Sequence, residues 1–319
     1  MLQHNYDYIV YHDNCWDGAT AAYIASLAYP DAKLYPMQYG YKYEKLEFND
    51  NSNILVVDFS FRPDDMIKLV LKHNYICVMD HHKTAIEDLD RLRCELTTDG
   101  KCDIYMDINR SGAMLAYDLL GEVINQKLQS AEILKLRWFV GKVQDRDLWI
   151  ENSEYFEEFN AFMGLYPKTV ENVGKILKEY IPNNMIAHGK ILLQYKLTLC
   201  EQHVKHARFI DVPDLGVAGT IFKCSCSGLV SDICSMLLKK YPDRPISIAQ
   251  VDLEPGVILY QLRSTGNTDA SAFAKKYGGG GHLNAAAFSI KANDIPLNHY
   301  DLYSAYSYDK EVPESSDKA

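Results

Sequence analysis

Three short apolar runs within the first 82 residues of this 319-residue chain each end in side chains able to hold a metal ion or a proton. Tyr8-Ile9-Val10-Tyr11 leads into His12-Asp13-Asn14-Cys15-Trp16-Asp17-Gly18. Ile54-Leu55-Val56-Val57 leads into Asp58, and Ile76-Cys77-Val78-Met79 leads into Asp80-His81-His82. Unbroken apolar runs of this length suit strands buried on both faces, as in a parallel sheet. Open α/β sheets carry their sites at the carboxyl ends of such strands. The repetition predicts an α/β fold with one chemically equipped sheet edge, and it makes a metal-dependent hydrolase the first hypothesis.

Between the runs the pattern turns helical. Ala19 to Leu27 is rich in alanine, and Arg62-Pro63-Asp64-Asp65 opens a helix through about His73, with proline and acids in its first turn. A longer helix is expected from Ala131 to Val143, before Gln144-Asp145-Arg146-Asp147-Leu148-Trp149. Strands return at 207–211, 216–221, 246–252 and 257–263, the last two joined as a hairpin through Glu254-Pro255-Gly256. The predicted architecture is α/β and two-lobed. A mostly parallel N-terminal sheet with flanking helices spans 1–150, a helical connector 151–205, and a smaller C-terminal α/β domain 206–300. The polar tail over 309–319 is expected to be disordered.

A net charge of −10 argues against a binder of long duplex nucleic acid, which needs a broad basic surface. It leaves room for a small phosphate ester gripped by a few arginines and metal ions. No run approaches the roughly 20 apolar residues of a membrane span. The first residues lack the features of a signal peptide, so a cytoplasmic location is expected. The eight scattered cysteines then read as free thiols.

Taken singly, an aspartate at a strand end is a turn or cap residue; the joint arrangement carries the metal reading. Asp58 can bridge two cations through its two oxygens, with His12, Asp17, His81 and Asp145 completing the shells. Mixed carboxylate and imidazole ligands suit Mn²⁺, with Zn²⁺, Co²⁺ or Fe²⁺ as alternatives, whereas an all-oxygen shell would favour Mg²⁺. Two cations about 3.5–4 Å apart can activate a water for in-line attack on a phosphate. A second constellation is Tyr277-Gly278-Gly279-Gly280-Gly281-His282, followed by Leu283-Asn284-Ala285-Ala286-Ala287. Its glycines let backbone N–H groups approach an anion, and the alanines are expected to present a helix N-terminus. Arg263-Ser264 ends the strand Val257 to Leu262, where a guanidinium can grip phosphate bidentately.

On these residues the chain resembles the DHH family of phosphoesterases. Asp80-His81-His82-Lys83-Thr84 resembles the family signature, the Asp58 strand end its second motif, and Asp145 its fourth. Leu262-Arg263-Ser264, with Gly278 to His282 and Ala285-Ala286, resembles the substrate-binding signature of the associated C-terminal domain. The motifs occur in the family's order over about residues 5–295. The resemblance implies a two-lobed enzyme with two divalent ions, usually Mn²⁺, often a dimer, hydrolysing phosphodiesters or phosphoanhydrides. Family members include RecJ-like exonucleases, nanoRNases, phosphatases of 3′-phosphoadenosine 5′-phosphate, cyclic dinucleotide phosphodiesterases and pyrophosphatases.

Residue by residue, the resemblance implies that Asp17, Asp58, His81 and Asp145 hold one metal. His12, Asp58 and either Cys15 or Asp13 hold the other, because Cys15 stands where the family commonly has aspartate. Asp80 and His82 are the expected catalytic pair, His82 orienting ligands or protonating the leaving oxygen. Arg263, Ser264, Gly279, Gly280, Gly281 and His282 are expected to bind the substrate's phosphate. Asp147 is assigned to helix geometry or to supporting the ligands, and Trp149 to the core. The expected substrate is a short oligonucleotide or small nucleotide phosphoester. The alternatives are a cyclic dinucleotide or nucleotide-monoester phosphohydrolase, a nucleotide binder with weakened catalysis, and a scaffold protein.

Overall fold

The N-terminal alternation becomes an all-parallel five-stranded sheet in the computed structural model, which describes residues 4–97 and 100–291. Its strands are β1 (Tyr8–His12), β2 (Lys33–Met37), β3 (Asn53–Val57), β4 (Tyr75–Asp80) and β5 (Cys102–Met106), in the order β2-β1-β3-β4-β5. The helices of this half are α1 (Trp16–Ala28), α2 (Pro63–Lys72), α3 (Lys83–Asp90), α4 (Arg93–Thr97), α5 (Gly112–Asn125), α6 (Ser130–Asp147), α7 (Phe156–Met163), α8 (Val170–Glu179) and α9 (Pro182–Lys205).

Alternating side chains along each strand feed two cores. Ile9, Leu55, Val57, Cys77 and Met79 pack against α1, α5 and α6. Val10, Ile54, Val56, Ile76 and Val78 pack with Met66 and Leu69 of α2 and with Phe59 and Phe61. The sheet is thus covered on both faces, which is why its central strands read as unbroken apolar runs. Pro63 begins α2 and Asp64 and Asp65 lie in its first turn, where the positive end of the helix dipole favours acidic side chains.

The chain divides into two compact units, Met1–Leu193 and Gln194–Ala319. The second unit contains β6 (Arg208–Val212), β7 (Val217–Lys223), α10 (Val230–Lys240), β8 (Ile246–Glu254), β9 (Val257–Ser264), α11 (Ala270–Lys276), β10 (Gly280–His282) and β11 (Ala285–Lys291). They form a six-stranded mixed sheet, β10-β11-β9-β8-β7-β6, in which only β7 and β8 run parallel. One face packs on Phe273 and Ala274 of α11, the other on Val230, Ile233, Cys234 and Leu237 of α10.

One expectation is corrected here. Ala285-Ala286-Ala287 does not open a helix; it lies in β11, paired antiparallel with β9 and β10. Alanine is a strong helix former, but propensity is a small term per residue, and strand pairing on both sides overrides it. The described cysteines are free thiols. No described helix is long and apolar enough to cross a membrane. The tail over 309–319 lies outside the described residues.

Candidate metal centre and substrate-binding strands

Because β1, β3 and β4 are neighbours, their carboxyl ends bring His12, Asp58 and Asp80-His81-His82 side by side. The Asp58 backbone turns left-handed, with φ of 52°. Its N–H donates to Met79 O at 2.9 Å. The two oxygens of Asp58 then point at different partners: Oδ1 lies 3.1 Å from His81 Nε2, and Oδ2 lies 3.8 Å from His12 Nδ1.

Asp17 enters from the first turn of α1. Its Oδ2 accepts from Gly112 N at 2.6 Å and its Oδ1 from Ala113 N at 3.0 Å, so it caps the start of α5. The same Oδ2 lies 3.5 Å from His81 Nε2, and Asp147 Oδ2 from the end of α6 lies 3.4 Å from that nitrogen. Three sets of donor atoms are close enough to share an ion: His12, Cys15 and Asp58; Asp17, His81 and Asp147; and Asp58 with Asp80, His81 and His82.

Asp147, not Asp145, faces this centre. Residues two apart point about 200° away from each other on a helix. Asp145 Oδ2 accepts instead from Lys142 Nζ at 2.7 Å. The signal for Asp147 is present in the sequence: the buried stripe Leu136, Phe139, Val140 and Val143 continues at spacing four onto Asp147. Asp13 also lies outside the described donor sets, its Oδ2 accepting from Gln38 Nε2 at 3.3 Å. Of the two alternatives at the first motif, Cys15 is therefore the one placed beside His12 and Asp58.

Asp80 is fully buried. Its Oδ1 accepts from His81 N at 2.7 Å, His82 N at 3.2 Å and His82 Nδ1 at 2.7 Å, and its Oδ2 from Ser60 Oγ at 2.6 Å. Such a carboxylate holds His82 in place rather than touching a substrate. Burial works to raise the Asp80 pKa, but the hydrogen bonds from His82, Ser60 and His81 outweigh it and hold the carboxyl below its usual range. Burial likewise opposes a charged His82, yet the bond to Asp80 lifts it above the usual histidine range.

The remaining groups are frustrated. Burial, with Asp17 and Cys15 as like charges, pushes Asp58 well above the carboxylate range. Burial and the charge of Asp17 also raise Asp147. Burial lowers His12 and His81, and it raises the Cys15 thiol. His12 Nδ1 and Asp58 Oδ2 are buried without a hydrogen-bond partner among the described residues. A single imidazole N–H cannot satisfy three carboxylates. Orphaned nitrogen and oxygen atoms beside crowded carboxylates and a thiol fit divalent cations.

Glycine at 112 is required by space. A Cβ there would come within 2.5 Å of Asp58 Cβ and 2.6 Å of its Oδ1. Ser111 caps α5, its side chain accepting from Met114 N, and its own N–H donates to Gln144 Oε1 at 3.2 Å. Ser60, Gly112 and Gln144 escape a sequence reading because their contacts are made across the fold.

In the second unit, Arg263 pairs with Ala285, and Ala285 pairs with His282. Paired residues share a face, so Arg263 and His282 flank an alanine on one row of three strands. The next row places Gln261, Ala287 and Gly280 on that face, so the inner and edge positions there, Ala287 and Gly280, are small beside Gln261. Arg263 donates to Leu262 O and to Ser231 Oγ, both at 2.9 Å. Ser264 is buried, its Oγ 2.7 Å from Thr268 O and 3.0 Å from Leu283 O, which makes it a brace of the loop. Gly281 has φ of 144°, and a Cβ there would meet Ala285 O at 2.4 Å, as a Cβ on Gly279 would meet Ala287 O at 2.1 Å. These glycines serve close strand pairing as much as ligand approach. Trp149 is not a core residue: it is 59% exposed and carries the Arg146 guanidinium 4.1 Å from its ring centre.

No family model matches the sequence. The uncharacterized protein R106 of Acanthamoeba polyphaga mimivirus is 26% identical over 313 residues, covering 92% of this chain and 70% of that protein. Among solved structures, the pGpG-specific phosphodiesterase PggH of Vibrio cholerae is 13% identical with a TM-score of 0.49, over 94% of this chain and 98% of its own. RecJ of Thermus thermophilus, solved in complex with Mn²⁺, is 16% identical with a TM-score of 0.43, over 95% of this chain and 52% of its own.

Proposed function

We propose that this chain is a metal-dependent phosphoesterase of the DHH type, acting on short oligonucleotides or small nucleotide phosphoesters. The observation that carries the reading is Asp58, whose two buried oxygens face two different donor sets. His12, Cys15 and Asp58 would hold one divalent ion, and Asp17, Asp58, His81 and Asp147 the other. Bound there, the ions would supply Lewis-acid charge and a water acidic enough to attack phosphorus at neutral pH.

The chain's own residues supply the rest. Asp80 fixes the ring of His82 through Nδ1 and favours its protonated form, which leaves Nε2 as the nitrogen that would deliver a proton to the leaving oxygen. Asp17 ties the centre to the N-terminus of α5, which favours a carboxylate there. Arg263 and His282, two strands apart with Ala285 between them, would grip a substrate phosphate, with backbone amides of Gly279 to Gly281 close by. Ser264 braces that row. The acidic balance favours a short substrate over a long strand, which calls for a basic channel.

The test is hydrolysis of a labelled RNA dinucleotide by metal-stripped protein with Mn²⁺ restored, alongside Asp58→Ala. Mononucleotide release that depends on Mn²⁺ and disappears in Asp58→Ala is the expected result. Failure of the protein to take up any divalent ion would overturn the reading. Metal uptake without cleavage would move the substrate to cyclic dinucleotides or nucleotide monoesters.

A further inference from the structure

Helix α6 ends in a way that costs stability and holds an aromatic ring at the surface. Trp149 N donates to Arg146 O at 3.3 Å and Ile150 N to Asp145 O at 2.7 Å, the two bonds of a Schellman cap. That cap needs a left-handed residue just past the helix, where glycine is favoured; here it is tryptophan, with φ of 59°. The indole gains little burial in return, being 59% exposed. Arg146 stacks on it at 4.1 Å, and Phe156 meets it edge-on at 6.3 Å. A strained, exposed and braced aromatic is a sign of a ligand contact.

The ring stands at a cavity of about 420 Å³, within the size range of small-molecule sites. Cys15, Asp17 and Asp147 of the candidate metal centre line the cavity together with Arg146, Trp149 and Lys168. The same cavity therefore offers an aromatic plane, two cationic side chains and the groups that would bind metal. A flat ring joined to a phosphate matches that combination. An apolar peptide would leave the cations and carboxylates without partners.

We propose that this cavity is a nucleobase subsite, in which the base beside the attacked phosphate stacks on Trp149 while Arg146 and Lys168 face the adjoining phosphate groups. This rests on the phosphoesterase reading above and adds to it the position and recognition of the nucleoside.

The test measures binding of AMP and GMP, with ribose 5-phosphate as the baseless probe, to the full chain by calorimetry, and follows melting in parallel. Trp149→Gly removes the ring while placing the favoured residue in the cap, so it should melt no lower than the wild type. Trp149→Leu keeps apolar bulk without a π-face, and Trp149→Phe restores the face. AMP or GMP binding should weaken about 5- to 150-fold in Trp149→Gly and Trp149→Leu, and recover in Trp149→Phe. Ribose 5-phosphate binding should not change. Equal AMP and GMP affinities in the folded variants and the wild type, or wild-type binding no tighter than that of ribose 5-phosphate, would overturn the subsite. Hydrolysis separates the two proposals. Dinucleotide cleavage with a KM indifferent to Trp149 removes the subsite and leaves the phosphoesterase. Trp149-dependent AMP binding without cleavage does the reverse.

Discussion

Asp145 and Asp147 lie two positions apart on one helix and face opposite ways, which makes them a matched pair for testing the metal centre. Asp147→Asn is expected to lower Mn²⁺-supported kcat/KM by about 100-fold or more, and Asp145→Asn by only a few-fold, in steady-state assays of the two variants. Cys15 carries a different expectation, because a thiolate favours softer metals than a carboxylate does. Cys15→Asp should raise the ratio of Mn²⁺- to Zn²⁺-supported activity by about tenfold, read from parallel metal titrations. Away from the centre, Asp65 sits between Tyr41, Arg62 and Lys68, at 2.9, 3.0 and 3.2 Å. Burial pulls its pKa upward, but those three partners outweigh burial and leave it lowered. Its charged form therefore stabilises the fold above the unfolded value of about 3.9, and that contribution fades as pH falls through the lower folded value. Asp65→Asn should cost about 2 kcal/mol at neutral pH, and the difference from wild type should begin to close only below about pH 4 and vanish beneath the lower folded value, in urea unfolding across pH.

Among the elements, α5 is held most tightly to the chemistry. Its first two N–H groups donate to Asp17, and its first residue leaves no room for a methyl group against Asp58. Gly112→Ala should cost about 1–3 kcal/mol in denaturant unfolding and depress activity at least as strongly as loss of a ligand, because the displaced side chain is Asp58 itself. Elements also show where sequence reading stops. The apolar strands β1, β3 and β4, their terminal ligands and Pro63 at the start of α2 are legible, because burial on both faces and local backbone rules determine them. Cys102 to Met106 is not: its alternation is short and becomes a strand only by pairing with β4. The alanines of β11 mislead for the same reason. At the site, His12, Asp58 and His81 follow from strand ends, whereas choosing Asp147 over Asp145 needs the phase of α6 carried to its last turn. Trp149 reads as core by its chemistry and is exposed because the helix cap turns it outward.

At the scale of the molecule, every candidate metal ligand among the described residues lies between residues 12 and 147, inside the first unit. Crowded carboxylates there disfavour one another's charge, and a bound cation would relieve that. A ligand that binds only the folded state stabilises it by about 2.7 kcal/mol at 100 times its Kd. Chelation should therefore speed amide exchange in β1, β3, β4 and α5 while leaving β7, β8 and β9 unchanged, as hydrogen exchange with mass spectrometry would show. The second unit holds a different kind of constraint in the row Arg263, Ala285, His282. Neighbouring strands are about 4.8 Å apart, so the backbone positions of the outer two residues are separated by about 10 Å. That interval is maintained by the hydrogen-bond ladder, and no side-chain rotamer can alter it. The sheet is in effect a fixed-gap calliper: any molecule gripped from both sides is gauged against two strand spacings, and evolution could change the gauge only by adding or removing a strand.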